Sequence, residues 1–184
     1  MKTYQPITPE IIEKLKAITG PTYVKTDRDM LLQYQTDYKT NPPISHGPDA
    51  AVSPANPQEI SEIVKLANEY DFPITVRSGG TSLADGAIPV CGGLVLCMDR
   101  LNKILELNEE GMYMTVEAGV RTVDLQNAAK KVGLMYAGDP SSAESSLIGG
   151  NLATNAGGLR AVRYGVTRDQ VYCLEVVTPT GDIV

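Results

Sequence analysis

The sequence predicts an α+β fold in which mixed small sheets are flanked by helices. Three patterns predict it: a strand–helix–strand unit over residues 50–77, a continuous apolar run at Leu94–Met98, and a hairpin pattern over residues 104–118. The first two are typical of parallel strands joined by a crossover helix, whereas a hairpin joins antiparallel strands. We therefore expect parallel and antiparallel pairing in the same chain.

Two helices carry clear start and stop signals. Thr8 is a candidate N-cap for a helix over Thr8–Thr19, with Pro9 at the first helical position and Gly20 as its stop. Asn56–Glu59 combines a cap, a first-turn proline and a third-position glutamate, which together form a capping box. Asp71–Pro73 ends this second helix. Both helices have apolar residues at helical spacing, so each is expected to pack one face against a core.

Short strands flank the second helix. Residues 36–57 contain five prolines and are expected to form an irregular connection with one short strand, Ala50–Ser53. Pro73–Arg77 is expected to form the strand that follows the helix. Leu94–Met98 is apolar throughout, which is typical of a strand buried on both faces.

The second half of the chain begins with the hairpin. Ile104–Leu107 and Met112–Ala118 are its strands, and Gly111 is expected to take a left-handed conformation in the turn. Alternation in the second strand predicts one core face. A third helix is predicted over Thr122–Val132, and a final strand over Val171–Thr178.

Composition limits the function classes. The chain has 184 residues, a formal net charge of −6 and an acidic isoelectric point near 4.8, which argues against nucleic-acid binding. Its three cysteines form no CxxC pair, and a single histidine, His46, argues against a metal site. Neither a signal peptide nor a transmembrane segment is predicted. We expect a cytoplasmic protein, with peripheral membrane attachment through a partner left open.

The first of two glycine clusters, Arg77–Leu83, directly follows a predicted strand. No Gly-x-Gly or Gly-Lys sequence occurs, so the usual dinucleotide and Walker-type signatures are absent. Consecutive glycines let backbone N–H groups point into one concavity, and an arginine and two hydroxyls add donors. Such a loop can hold a pyrophosphate. The alternative is a tight turn with a capping serine.

The second cluster covers Pro140–Ser142 and Ser146–Gly158 and contains two Gly-Gly pairs with almost no charge. Small side chains allow a flat ring or a ribityl chain to lie against the backbone, and amide and hydroxyl groups can bond to its edges. The alternative is a buried loop that packs tightly for stability. Two such clusters in one small chain favour an extended cofactor.

These clusters, followed by Leu159–Gly165, resemble the FAD-binding domain of the vanillyl-alcohol-oxidase-like (PCMH-type) flavoproteins. The most similar branch contains the glycolate oxidase D-subunit and FAD-linked D-lactate dehydrogenases. The resemblance covers about Ala51 to Val184 and is most specific over Ile148–Asp169. It implies the PCMH-type fold, with an N-terminal helix and irregular connection over residues 1–49 and the FAD-binding domain over residues 50–184.

The same resemblance implies which residues contact FAD. Around the pyrophosphate they are Val76, Arg77, Ser78, Gly79, Gly80, Thr81 and Ser82. Along the flavin and its ribityl chain they are Pro140, Ser141, Ser142, Ser146, Leu147, Gly149, Gly150, Thr154, Asn155, Ala156 and Gly157.

The chain departs from the family at three points. Some relatives have a histidine that tethers the flavin where this chain has Thr81, so we predict non-covalent FAD. Asp85 stands where relatives often have a small residue, and it either disfavours close phosphate approach or faces solvent. Family members also continue into a cap domain that carries the substrate or metal site. We therefore expect the fold to be incomplete at the C-terminus, and we assign no catalytic residue or metal ligand in this chain.

Three functions follow as hypotheses. The first is an FAD-dependent oxidoreductase that takes a hydride from a small 2-hydroxy acid and passes electrons to an acceptor subunit. The second is a flavin-binding or electron-relay subunit without a substrate pocket. The third is a structural domain whose glycine clusters are only turns. The density of matching residues over 148–169 makes the third the weakest, and we favour the first, with this chain as its cofactor-binding portion.

Overall fold

The computed structural model describes residues 3–38 and 47–184, and these residues form two units. The first unit comprises the described residues up to Arg100 together with Glu175–Val184, and the second comprises Leu101–Leu174. Each unit contains strands and helices, so the α+β class is confirmed. Across the two described ranges, no helix combines the length and the apolar character needed to cross a membrane.

The first unit contains a four-stranded sheet. Its elements are α1 (Pro9–Thr19), β1 (Val24–Lys25), α2 (Arg28–Leu31), β2 (Ala50–Val52), α3 (Pro57–Tyr70), β3 (Ile74–Arg77) and β4 (Leu94–Cys97), with 3₁₀ turns at Pro21–Tyr23 and Leu32–Tyr34. The strand order is β1-β2-β4-β3, in which β1 is antiparallel to β2, and both β2 and β3 are parallel to β4. The predicted strand–helix–strand crossover is confirmed, with β4 between its two strands.

The core of this unit is built around β4. Leu94 and Val95 have no exposed surface, and β4 has a parallel neighbour on each side. This position explains why the strand is apolar without alternation. Helix α1 contributes Ile11 and Leu15, and α3 contributes Ile63, all fully buried.

The predicted caps begin both long helices. Thr8 Oγ1 accepts the N–H of Ile11 at 3.4 Å, and Asn56 Oδ1 accepts the N–H of Glu59 at 2.9 Å. The Glu59 carboxylate accepts the N–H of Ala55 at 2.7 Å, one residue before the cap. Helix α3 therefore leaves β2 at a fixed position and returns the chain to β3, at whose end the first glycine cluster begins.

The second unit begins with the predicted hairpin. Its elements are β5 (Ile104–Asn108), β6 (Tyr113–Val116), α4 (Thr122–Lys131), α5 (Ile148–Ala153) and α6 (Ala161–Tyr164), with a 3₁₀ turn at Thr167–Gln170. Strands β5 and β6 are antiparallel, with a register shift between Ile104 and Glu106. The third predicted helix is confirmed as α4, and Gly133 follows it with a φ of +75°.

The hairpin turn differs from the prediction. Met112, not Gly111, takes the left-handed conformation, with a φ of +53°. The Oδ1 atom of Asn108 accepts the Gly111 N–H at 2.7 Å, so this side chain closes the turn and the left-handed position falls one residue later. Met112 is 69% exposed and lies outside the core face predicted for β6.

The predicted strand at Val171–Thr178 is wrong. Among the described residues, its pairing is confined to a bridge between Val177 and Ile183, and Tyr172 is 86% exposed. An extended segment becomes a strand only where a neighbour accepts its backbone hydrogen bonds. A tight turn follows this segment, as the sequence Pro179–Asp182 predicts, and in it the Gly181 N–H donates to the Thr178 carbonyl at 2.9 Å.

Candidate functional site

The first glycine loop, defined as residues 77–83, begins at the last residue of β3. Gly80 has a φ of +64°, a left-handed conformation that glycine adopts readily. Within residues 3–38 and 47–184, the N–H groups of Ser78 to Ser82 donate no hydrogen bond. Successive free N–H groups beside a left-handed residue form a concavity that binds anions. The loop therefore suits a phosphate or pyrophosphate group.

The Arg77 guanidinium lies within this loop. Its Nη1 donates to the carbonyl of Ala87 at 3.3 Å, and its Cζ lies 5.6 Å from the centre of the Tyr34 ring. A Cβ atom added to Gly80 would lie 2.8 Å from this Cζ, so the loop closes tightly over the guanidinium. Burial lowers the pKa of Arg77, although an arginine remains charged at neutral pH. A positive charge therefore lies next to the free N–H groups.

The remaining predicted residues of the first loop have different surroundings. Val76 is 55% exposed, and Thr81 and Ser82 are half-buried. Ser82 Oγ accepts the N–H of Ala84 at 3.1 Å and so closes a local turn. Asp85 has a φ of +58°, and its carbonyl accepts the N–H of Ile88 at 3.1 Å. The unusual aspartate therefore belongs to the turn that ends the loop.

The second glycine segment, defined as residues 146–158, begins with a buried polar network. Ser146 is 2% exposed, and its Oγ lies 2.9 Å from Oγ1 of the fully buried Thr122. The same Thr122 Oγ1 accepts from Nδ2 of Asn151 at 2.6 Å. The hydroxyl predicted to line a flavin is thus engaged by the N-terminus of α4, an engagement that sequence reasoning missed. A threonine at a helix start gives no signal of such a distant partner.

Helix α5 lies close to the backbone that precedes α4. The Ile148 N–H donates to Val120 O at 2.9 Å, and the Gly149 N–H donates to Ala118 O at 2.8 Å. A Cβ atom on Gly149 would lie 2.9 Å from the Cβ of Ala118. Gly149 is therefore required for packing, as the tight-loop alternative predicts for this position. Leu147 and Gly150 are half-buried at the same helix start.

The segment after α5 presents a second set of free N–H groups. In the described ranges, the N–H groups of Gly157 to Arg160 donate no hydrogen bond. Asn155 has a φ of +51°, and its Oδ1 accepts the Arg168 N–H at 3.1 Å. The Ala156 carbonyl accepts from the hydroxyl of Thr167 at 2.8 Å. These bonds fix the backbone at Asn155 and Ala156, and the four residues with free N–H groups are exposed, so these groups can donate to the carbonyl oxygens of a flavin ring.

Gly158 approaches the turn that contains the other predicted residues. A Cβ atom at this position would overlap the carbonyl group of Asp139. The Arg160 Nε lies 3.6 Å from the Asp139 carboxylate, which holds the two stretches together. Pro140 begins a turn in which its carbonyl accepts the N–H of Ala143 at 3.0 Å, and in the next turn the Ser142 carbonyl accepts the N–H of Ser146 at 2.7 Å. Pro140 and Ser142 are half-buried, whereas Ser141 and Thr154 are exposed. The second unit thus brings together all the predicted residues from Pro140 to Gly157.

Two predictions receive no structural description. His46, expected in an exposed loop, lies outside the described residues. The contacts of the individual residues with FAD also remain predictions, since the distances given above are between protein atoms. The first unit contains Val76 to Ser82.

Similarity to known proteins agrees with this geometry. The sequence pattern of one family, described as an FAD binding domain, matches residues 48–184. Glycolate oxidase subunit GlcD of Bacillus subtilis (strain 168) is 43% identical over 178 residues, covering 97% of this chain and 37% of that protein. A D-lactate dehydrogenase of Anaerostipes hadrus is 38% identical over 184 residues, covering 98% of this chain and 38% of that protein. Among solved structures, an alkyldihydroxyacetonephosphate synthase superposes with a TM-score of 0.86 at 27% identity, over 98% of this chain and 34% of that one.

This chain spans 37% and 38% of the lengths of these two relatives. Both glycine clusters lie inside residues 48–184, which the family pattern matches. FAD, predicted from the resemblance, is therefore confirmed as the cofactor of this family. Since the match covers well over half of the sequence, the chain belongs to the FAD-binding domains of the vanillyl-alcohol-oxidase-like flavoproteins.

Proposed function

We propose that this chain is the FAD-binding portion of a flavin-dependent oxidoreductase that oxidises a small 2-hydroxy acid of the glycolate or D-lactate type. The observation that carries the proposal is the 43% identity to a glycolate oxidase subunit over 97% of the chain. The second relative is named for D-lactate, which belongs to the same chemical class. In this proposal the FAD-binding domain occupies residues 50–184, after an N-terminal helix and connection over residues 1–49.

The first glycine loop binds the pyrophosphate of FAD in this proposal. Five N–H groups from Ser78 to Ser82 face no protein acceptor in the described ranges, and the charge of Arg77 lies beside them. Donors that are fixed before binding are more effective than donors that must be ordered on binding. Val76, which precedes the loop, and Thr81 also contact the pyrophosphate in this proposal.

The second glycine segment binds the flavin and its ribityl chain. Its free N–H groups at Gly157 and beyond suit ring carbonyl oxygens, while Thr154–Ala156 form a wall of small groups. The exposed Ser141 hydroxyl suits a ribityl hydroxyl. When bound, FAD supplies the acceptor for the hydride that leaves the hydroxyl-bearing carbon of the substrate. The residues of this chain bind and orient the cofactor, and we assign none of them as a catalytic acid or base.

We propose that FAD is held without a covalent bond. Thr81 lies at the position where some relatives carry a tethering histidine, and a threonine hydroxyl is a poor nucleophile at its ordinary pKa. Non-covalent binding then depends on the two sets of N–H groups and on the charge of Arg77. The cofactor should therefore be released when the protein is denatured.

The proposal also includes partners and location. A subunit that accepts electrons from the flavin is expected, because the Bacillus relative is named as a subunit of an oxidase. We place the protein in the cytoplasm, with peripheral contact to a membrane through that partner. Because this relative is named as a subunit, the second candidate is a flavin-binding or electron-relay chain that does not itself oxidise a substrate.

A visible absorption spectrum tests the cofactor assignment. The purified protein should have a flavin absorption band, and after acid precipitation the band should appear in the supernatant. Flavin in the pellet would contradict the reading of Thr81. Anaerobic addition of glycolate or D-lactate should bleach the band if the chain belongs to a catalytic subunit, whereas the electron-relay candidate predicts bleaching only with a reduced partner. A protein that binds no added FAD would overturn the proposal.

A further inference from the structure

Residues Tyr34–Tyr38, which we call the brace, contact the first glycine loop and the turn after it at three points. We propose that the brace holds this loop in the conformation that binds the FAD pyrophosphate, and that Asp37 acts as a positioning residue for it. This inference rests on the proposed function. It assigns a cofactor-positioning role to residues that precede residue 48, where the family match begins.

The first contact is between Tyr34 and Arg77. Tyr34 is 5% exposed and belongs to the core cluster that includes Val95 and Cys97 of β4. Its hydroxyl accepts a hydrogen bond from Nζ of Lys25 at 3.2 Å, so the side chain is held by this bond as well as by core packing. The Arg77 guanidinium lies 5.6 Å from the centre of this ring, within the range of a cation–π interaction. The arginine is therefore supported by a buried aromatic side chain.

The second and third contacts are hydrogen bonds to backbone atoms. Asp37 Oδ2 accepts the N–H of Asp85 at 3.1 Å, and the Tyr38 N–H donates to the Ser82 carbonyl at 3.3 Å. The Asp37 carboxylate is also close enough to favour the charged form of Arg77. The brace thus binds the loop at Ser82, the following turn at Asp85, and the arginine that the loop encloses.

These contacts matter because the loop has little of its own to hold it. It has two glycines, no regular structure after Arg77, and five N–H groups without a protein acceptor in the described ranges. Glycine loses more conformational freedom on ordering than any other residue. A loop that is already ordered avoids that cost when a ligand binds. Removing the brace should therefore weaken FAD binding even though no FAD-contacting residue has changed.

Three variants of the protein separate this role from general stability. Asp37→Ala removes the acceptor for Asp85, Asp37→Asn keeps an oxygen acceptor without the charge, and Gln33→Ala is the control. Gln33 is exposed and precedes the brace, and its amide donates to the carbonyl of Met30 at 2.9 Å. The dissociation constant for FAD, measured by quenching of flavin fluorescence, should rise about tenfold in Asp37→Ala, the loss expected for one hydrogen bond. Asp37→Asn should recover most of this loss, and Gln33→Ala should match the wild type.

Hydrogen exchange without FAD provides the second measurement. In Asp37→Ala, the amides of Tyr38, Ala84 and Ile88, which donate hydrogen bonds to the loop and the turn after it, should exchange faster, while amides of β4 should keep their protection. Unchanged exchange at these three amides together with wild-type FAD affinity would overturn the brace and leave the proposed function intact. Faster exchange throughout the first unit would also overturn it, because Asp37 would then stabilise the whole unit. Failure of the wild type to bind FAD would overturn the proposed function, and exchange in the apo protein still decides whether Asp37 orders the loop.

Discussion

Replacing Thr122 by valine removes one hydroxyl from the buried network that begins the second glycine segment. Thr122 has no exposed surface, and its two polar partners, Ser146 and Asn151, are 2% and 5% exposed. Valine has nearly the same shape as threonine, so the substitution changes hydrogen bonding with little change in volume. The expected result is a less stable second unit in which the start of α5 is poorly fixed.

The Ser146 carbonyl also accepts from Thr122 Oγ1, at 3.2 Å, but it keeps the Thr122 N–H as a partner. The magnitude therefore follows from the two groups that are left without any partner. These are Nδ2 of Asn151, which donates to Thr122 Oγ1 at 2.6 Å, and Oγ of Ser146, at 2.9 Å. Each buried polar group left without a partner costs about 1–3 kcal/mol. The extra buried methyl group of valine returns about 1 kcal/mol. We therefore expect the free energy of unfolding to fall by about 3 kcal/mol.

Urea denaturation of the wild type and the variant measures this difference. The midpoint should fall while the slope stays the same, because the surface exposed on unfolding is unchanged. Thr115→Val is a matched control, since Thr115 is exposed on β6 and its hydroxyl donates to Glu106 at 3.5 Å. Its effect should be below about 0.5 kcal/mol. Adding Ser146→Ala to Thr122→Val should cost little more, because one unpaired group is removed with it.

A loss in Thr122→Val as small as that in Thr115→Val would refute this reasoning. It would mean that Ser146 and Asn151 find other partners, and that the network does not hold the glycine segment. FAD affinity gives a second check. It should fall in Thr122→Val, since Leu147 and the following residues are proposed to face the flavin, and it should be unchanged in Thr115→Val.

Three further predictions concern single side chains. Gly80→Val should abolish FAD binding, because the φ of Gly80 is +64° and the added side-chain atoms collide with Arg77. Gly86→Ala is the control and should bind FAD normally, because its added Cβ meets no atom within 4 Å. The flavin absorption band of the purified variants measures both effects. Gly158→Ala should lower the free energy of unfolding by about 1–3 kcal/mol, because the added Cβ overlaps the Asp139 carbonyl, and urea denaturation measures the loss. Burial raises the pKa of Tyr34 in the folded protein, so its contribution to stability is full below about pH 10 and is lost as the pH rises further. The free energy of unfolding should fall above this pH, and the fall should be smaller in Tyr34→Phe.

Local signals were enough to predict most elements of the first unit. The caps at Thr8 and Asn56 involve donors three residues away, and both form as the sequence predicts. The apolar run at Leu94–Cys97 is a central parallel strand, which needs no information beyond its own composition. Each of these predictions depends on contacts within a few residues or on burial alone.

Predictions failed where the outcome depended on a partner elsewhere in the chain. Val171–Thr178 has a strand-like composition, yet a strand requires a neighbour, and among the described residues its pairing is the bridge from Val177 to Ile183. The hairpin turn failed for a different reason. Asn108 and Gly111 both favour turns, and the bond between them placed the left-handed residue at Met112.

The candidate site contains features that local sequence predicts and features that depend on distant partners. The glycines of the two clusters mark close approaches of the backbone, a consequence of having no Cβ that is visible in the sequence itself. A glycine at a close approach can make room for a ligand or for packing within the protein. The difference depends on residues that are distant in the sequence. Gly149 lies against Ala118, 31 positions earlier, and so packs the fold. Asp37 lies 48 positions before Asp85 and holds its N–H. Nothing in the sequence around Asp37 marks it as unusual. Its role follows only from the carboxylate oxygen that it places beside the loop as an acceptor.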